Sequence, residues 1–330
     1  MSGTLHVVLP TLKPIGGIVK CYDYIGHALN FGLDVRVYCG ENPEQSPHLF
    51  ANPNLVPVLS RGVAYHPYRD IYAAPDDLYF FSLPSDFLFI EPLLRQGVSS
   101  RTIIHIIQNT RHAQATFQDG YALRLLTRPM SRITINRQVH EAIRPYLHAT
   151  SYIDNIPLAH DSSFFYKPAA ASLSSPVRVG YTTWKSGFGD RIAWEMRDDA
   201  RFVFRALNGT VSWPELREFY HSIDVLLCTP NRKEGFYLPG LEAMAAGCIV
   251  LIPDVEGNMS YCDFGRNCFE YEFENCESAR YRLEAISKLD ATALEKLHAE
   301  AEATWRERGL ESERTAFRAF LEDVGVRLPA

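Results

Sequence analysis

The sequence predicts an α/β fold made of two parallel-sheet halves, and three observations carry that reading. Short apolar runs recur along the whole chain, separated by gaps long enough for a helix. A stretch from Pro157 to Pro176, Ala/Ser-rich over 169–175, interrupts this rhythm near the middle and reads as a linker. At 330 residues the chain is long for one domain and comfortable for two.

In the first half, Leu5–Leu9 reads as a short buried strand ended by Pro10 and Pro14. Gly16-Gly17 follows. A helix is then expected from Ile18 to Asn30, with Ile18, Cys21, Tyr22, Ile25, Ala28 and Leu29 on one face. Gly32 breaks it, and Val35–Tyr38 starts the second strand. The glycine pair is not the G-x-G-x-x-G fingerprint, which argues against a nicotinamide oxidoreductase. Further strand-like runs stand at 78–81, 102–107, 133–135 and 151–153.

In the second half, strand candidates stand at 177–181, 202–204, 225–228, 248–252 and 268–271. From Ser278 to Val324 the chain is rich in Ala, Leu, Glu and Arg and reads as successive helices. Between two of these strands lies the most informative segment, Lys233 to Gly247. It reads as a loop and a short helix, with Pro239 as first helical residue and Gly247 just past the last. Glu234 falls on the loop at a strand's C-terminal end, where open α/β sheets bind ligands. Glu242 falls one turn into the helix. A helix N-terminus suits a phosphate, and a carboxylate accepts two hydrogen bonds from neighbouring hydroxyls. The constellation suits a sugar–diphosphate–nucleoside molecule.

Glu234, Gly235, Phe236, Leu238, Glu242, Ala243, Met244, Ala245 and Gly247 resemble the E-x7-E signature of GT-B glycosyltransferases, retaining family 4 type. Tyr237 departs, standing where the family usually has Gly. Tyr is costly there if φ must be positive, and harmless if only the N–H matters. The resemblance implies two Rossmann-like domains whose parallel sheets face across a cleft. The expected boundaries are 1–165 for an acceptor-binding domain, 166–305 for a nucleotide-sugar domain, and 306–330 for a terminal helix packing back on the first domain. It implies a nucleotide-diphosphate sugar as donor, with Glu242 on the ribose, Glu234 on sugar hydroxyls, and backbone N–H groups near Phe236, Tyr237 and Leu238 on the diphosphate. Gly16 and Gly17 correspond to the family's Gly-rich loop at the donor.

The family's G-R-x-x-x-x-K-G loop is met by Gly180 to Gly187, with Lys185 at the Lys position, one residue short. Tyr181 replaces the Arg, removing one cation from the departing diphosphate; Arg191 and Arg205 are the substitutes within reach in sequence. On the acceptor side, Gln108, Asn109, Arg111 and His112 follow a strand of the first half. His105, inside the apolar run, reads as a core histidine. Of the family's later G-G-x-P-E motif only Gly257 matches. No D-x-D triplet occurs, so no metal and no other cofactor is expected.

Net charge is −6, all of it carried by residues 166–330. Residues 101–144 hold Arg101, Arg111, Arg124, Arg128, Arg132, Arg137 and Arg144 against Asp119 and Glu141. They read either as a solvated face or as a surface for an anionic acceptor, including peripheral contact with a membrane. No nucleic-acid motif accompanies them. The seven cysteines form no C-x-x-C pair and read as reduced thiols. No apolar run approaches the ~20 residues that span a bilayer, and no signal peptide is evident. The expectation is a cytoplasmic enzyme, peripheral at the membrane inner face if its acceptor is lipid-linked. It would transfer a sugar with retention to a saccharide, lipid-linked or small-molecule acceptor. The alternative is a non-catalytic nucleotide-sugar-binding protein or partner subunit on the same architecture.

Overall fold

The structure is a computed structural model that describes residues 3–13, 16–41, 58, 61, 63–209 and 211–328. The strand stop expected at Pro14 lies outside the described residues. The chain divides into two compact units, Met1–Ala159 with Leu310–Ala330, and His160–Gly309.

The first unit carries a parallel sheet of seven strands: β1 (Thr4–Val8), β2 (Asp34–Tyr38), β3 (Ala64–His66), β4 (Leu78–Phe81), β5 (Ile103–Ile107), β6 (Ser131–Thr134) and β7 (Tyr152–Asn155). Their spatial order is β3-β2-β1-β4-β5-β6-β7. The order reverses between β1 and β4, and a crevice at such a reversal is where open sheets take ligands. Strands β4 and β5 are buried along their whole length, as central strands covered on both faces must be. Edge strand β3 has no apolar run and escapes sequence reading.

Helix α1 (Gly16–Asn30) begins on the glycine pair itself, two residues ahead of the expected Ile18. Helices α2 (Phe87–Leu94), α3 (Tyr121–Leu126) and α4 (Arg137–Ile143) follow.

The second unit carries β8 (Val177–Thr182), β9 (Phe202–Leu207), β10 (Val225–Leu227), β11 (Ile249–Pro253) and β12 (Phe269–Tyr271) in the order β12-β11-β10-β8-β9, all parallel. Its helices are α5 (Phe188–Glu195), α6 (Trp213–His221), α7 (Leu238–Ala245), α8 (Cys276–Ile286) and α9 (Ala291–Glu307). Val179, Leu227, Leu251, Ile192 and Leu283 meet in its core. A capping box between Ser212 and Glu215 starts α6. In α7, Leu238 is the first residue and Pro239 the second, one place later than expected. Gly247 follows the helix with φ +71°, the left-handed turn that favours glycine.

The last helix, α10 (Leu310–Asp323), belongs to the first unit and packs on α1. Its Glu313 carboxylate is fully buried and accepts from Lys20 Nζ at 2.9 Å, His27 Nε2 at 3.0 Å and the Ala159 N–H at 3.0 Å. A buried charge is tolerable only when paired and hydrogen-bonded in this way. All seven cysteines are free, and all but Cys276 are buried.

Candidate functional site

The loop between β10 and α7 places Glu234 beside Lys185, which comes from the loop after β8. The Lys185 ammonium donates to the Glu234 carboxylate. It also lies 5.1 Å from the centre of the Tyr237 ring, within reach of a cation–π contact. The two side chains are 26 % and 16 % exposed, so the pair is reachable from solvent. Three residues singled out from sequence therefore share one corner at the C-terminal edge of the second sheet.

Tyr237 has φ −98°, so no left-handed conformation is required where the family has Gly. Its side chain is buried, and burial pushes its phenol well above the usual range despite hydrogen bonds involving Thr182 and the Thr229 backbone. The Tyr237 carbonyl accepts from the Tyr261 hydroxyl at 2.6 Å. That hydroxyl passes over Gly240, where a Cβ would overlap it. Gly257 lies against the loop from the other side. A Cβ there would stand 2.5 Å from the Glu234 oxygen and 2.6 Å from the Phe236 nitrogen. Asn258 fixes that turn, accepting from the Val255 N–H at 3.1 Å and donating to the Pro253 carbonyl at 3.0 Å. Phe236 is buried against Tyr261, with ring centres 5.1 Å apart, and Leu238 is half-buried. The Glu234 loop is thus pinned between two backbone segments by a glycine and a tyrosine.

Glu242 is held differently. It is 5 % exposed, and its Oε2 accepts from the Tyr220 hydroxyl of α6 at 2.9 Å. His160 Nε2 lies 3.2 Å from its Oε1, within ion-pair distance but off the line of a hydrogen bond.

Tyr181 does not face this corner as a cation would. Its ring lies against Gly189 and its hydroxyl donates to Asp190 at 2.8 Å, both on α5. Burial raises this phenol to about 12. Arg205 is exposed on β9, and Arg191 is exposed on α5 with its guanidinium 5.2 Å from the Phe188 ring.

In the first unit, Gln108 Nε2 donates to the Gly17 carbonyl at 3.0 Å, which joins two of the expected residues, and Gly16 is exposed beside them. Asn109 is buried and caps the next turn by accepting from the Arg111 N–H at 2.9 Å. Arg111 is exposed over the Phe117 ring. His112 is 5 % exposed, 5.2 Å from both the His105 and Phe117 rings, and burial first, then Arg111, lowers it to about 3. His105 is fully buried and stacked on Phe81, as a core histidine.

One of the seven arginines is not at the surface at all. Arg132 is fully buried, and its Nη2 donates to the carbonyls of Leu125, Leu126 and Arg128 at 2.9, 3.1 and 2.8 Å. It caps the C-terminal end of α3, where cations are stabilising. Arg128 pairs with Glu91 and Arg137 with Glu141. All six arginines other than Arg132 are exposed, Arg128 and Arg137 within those pairs.

Sequence reasoning missed Tyr220, His160 and Tyr261. They sit far along the chain from the segment they support and belong to no motif. Gly257 was the exception, since its family match was visible.

Residues 206–303 match the family model described as glycosyl transferases group 1, a stretch that holds both Glu234 and Glu242. No curated protein matches the sequence. Among solved structures, the chain is similar to Anabaena Alr3699/HepE in complex with UDP and glucose, at 12 % identity and TM-score 0.73, over 97 % of this chain and 100 % of that one. It is similar to sucrose-phosphate synthase from Thermosynechococcus elongatus at 15 % identity and TM-score 0.68, over 98 % and 99 %. It is also similar to an alpha,alpha-trehalose-phosphate synthase (UDP-forming) from Burkholderia vietnamiensis at 14 % identity and TM-score 0.68, over 98 % and 100 %. The fold is GT-B, with two Rossmann-like units. No helix among the described residues is long and apolar enough to cross a membrane.

Proposed function

We propose that this GT-B glycosyltransferase moves a sugar from a nucleotide-diphosphate sugar to an acceptor hydroxyl with retention and without metal. The observation that carries this reading is the Lys185–Glu234 pair beside Tyr237, at the N-terminal side of α7. In the absence of ligand the carboxylate neutralises the lysine. An arriving diphosphate takes over the ammonium and frees Glu234 to accept from sugar hydroxyls. Lys185 then offsets the charge that grows on the leaving group, where such stabilisation counts most. Backbone N–H groups near Phe236, Tyr237 and Leu238 add to it, and Glu242 takes the ribose.

The bond between the anomeric carbon and the phosphate oxygen breaks, and the diphosphate leaves with the electron pair. The acceptor oxygen bonds to the same carbon on the same face, and its proton passes to the leaving phosphate. No protein nucleophile is required. Gly16 and Gly17 of α1, with Gln108, would border the sugar. A saccharide, small-molecule or lipid-linked acceptor fits this scheme, and the enzyme would work in the cytoplasm. The exposed Arg101, Arg111, Arg124 and Arg144 would draw it to an anionic membrane surface. The HepE structure with UDP and glucose supports a UDP-sugar donor.

A thermal-shift screen against UDP, GDP, TDP, CMP and ADP sugars tests the donor site, since a ligand raises the melting temperature by mass action. With the hit in hand, anomeric proton NMR of the product tests retention, and turnover in EDTA tests metal independence. Flotation with anionic vesicles tests the membrane contact. Binding without turnover would favour the non-catalytic alternative, which Tyr181 keeps open by leaving Lys185 without the family's second cation.

A further inference from the structure

Glu242 has a protein group against each carboxylate oxygen. Tyr220 donates to Oε2 at 2.9 Å, and both residues are buried. On the other side stands His160, the first residue of the second unit, with its side chain 1 % exposed. Its Nε2 is 3.2 Å from Oε1 yet makes no hydrogen bond among the described residues. The main chain at His160 is itself anchored, because its N–H donates to the Arg308 carbonyl at 2.8 Å. The Trp213 ring packs edge-on against the imidazole, 5.7 Å away.

We propose that Tyr220 and His160 are positioning residues that lock the Glu242 carboxylate in one orientation and so make this site select ribonucleotides. This rests on the donor-site reading above. A carboxylate has about four lone-pair sites, so one hydrogen bond from Tyr220 leaves room for the two hydroxyls of a ribose diol. A diol is held by both oxygens only if the carboxylate plane is fixed. Glu242 is 6 % exposed at its side chain, which confines what it can touch to one narrow face. Rotation about its last bond would swing that face away, and the Tyr220 hydroxyl and the imidazole block that rotation on opposite oxygens. A donor lacking the diol forgoes hydrogen bonds to the remaining lone pairs of a buried carboxylate, which is costly.

The test is calorimetry on the full chain with UDP, GDP, ADP and CDP, each set against its 2′,3′-dideoxy counterpart. The wild type is expected to prefer one ribonucleotide over its dideoxy form by about tenfold or more, the scale of hydrogen bonds to a charged group. Tyr220→Phe is expected to weaken that ribonucleotide about tenfold, again on that scale, and His160→Gln, which alters a packing contact and removes no hydrogen bond, by less; both leave the dideoxy form unchanged. With the matching donor, KM rises while kcat holds. Tyr220→Phe removes a single oxygen and keeps the ring, so it carries the test if His160→Gln is poorly folded. Equal weakening of both forms, or no weakening, overturns the proposal and leaves a merely structural contact. A wild type that binds a nucleotide but ignores its diol overturns it while sparing the donor site. A wild type that binds none of the four overturns the proposal, and one that also fails to bind TDP defeats the donor-site reading with it.

Discussion

The C-terminal edges of the two sheets both carry loops but expose different charge: a lysine–glutamate pair in one, a lone arginine beside a buried histidine in the other. In the second unit, the loops after β8 and β10 bring a lysine and a glutamate together while leaving both partly open. In the first unit, the loop after β5 turns His112 into the core, where burial strips its charge, and commits Gln108 to the Gly17 carbonyl. One edge keeps mobile charge at the surface. The other buries its histidine, commits Gln108 to a backbone carbonyl, and leaves only Arg111 of that loop exposed as a charge. In the proposed reaction, electrostatic work on a dianionic leaving group would fall to Lys185 in the second unit.

Removing charge from the second edge is the strongest way to break this contrast. Glu234→Gln is expected to lower turnover by about a thousandfold, on the scale of lost transition-state stabilisation, with the melting temperature held. Full activity in that variant would falsify its role. Lys185→Ala should cost about a hundredfold in kcat/KM, also on that scale, measured with the donor found in the screen.

A third variant attacks the scaffold of that edge rather than its charge. Gly257→Ala drives a Cβ into the Glu234–Phe236 backbone, which cannot move aside as a side chain would. A loss of about 1–3 kcal/mol in denaturant unfolding is expected, the usual scale of overpacking, together with lost activity. Gly187→Ala is the control, because nothing lies within 4 Å of its Cβ. A neutral Gly257→Ala would mean that the loop is not pinned.

His112 sharpens the other side of the comparison. Its folded ring stays neutral down to about pH 3, whereas an unfolded one takes a proton near 6.5. Between those values the unfolded chain binds more protons, so acid draws the protein towards unfolding. Asp86 works the other way: burial raises its carboxyl to about 7, so its contribution falls as pH rises from 3.8 towards that value. His112→Leu should therefore flatten the fall in melting temperature from pH 6.5 to 4, and Asp86→Asn should raise stability at pH 8. An unchanged acid slope in His112→Leu would show that the ring is not the group being titrated.

The smallest effect is expected from Gln108→Ala. It removes one neutral hydrogen bond to Gly17, so kcat/KM should change by about tenfold or less. A larger loss than in Lys185→Ala would reverse the proposed division of labour between the two edges.

Most strands were legible because a buried parallel strand must be apolar on both faces, as at 78–81 and 225–228. Strand β3 was not, since an edge position asks little of Ala64, Tyr65 and His66. The Glu234–Glu242 segment was legible because loop, helix start and flanking strands are contiguous. Arg132 alone among the seven arginines was misread as surface, because a one-dimensional count treats every guanidinium as solvated. Nothing in the neighbours of Arg132 announces that three carbonyls at the end of α3 will receive it.

The sequence by itself determined the two-fold rhythm of strands and helices, the segment that carries the two glutamates, and the absence of a cation at position 181. Those are properties of pattern and residue type, which need no coordinates. Only the tertiary structure decided that Lys185 answers Glu234, that Tyr220 bonds Glu242 with His160 close beside it, and that His112 is withdrawn from the surface. Hydrogen bonds and burial act over a few ångströms in space. Residues that meet across a sheet edge carry no mark of it along the chain.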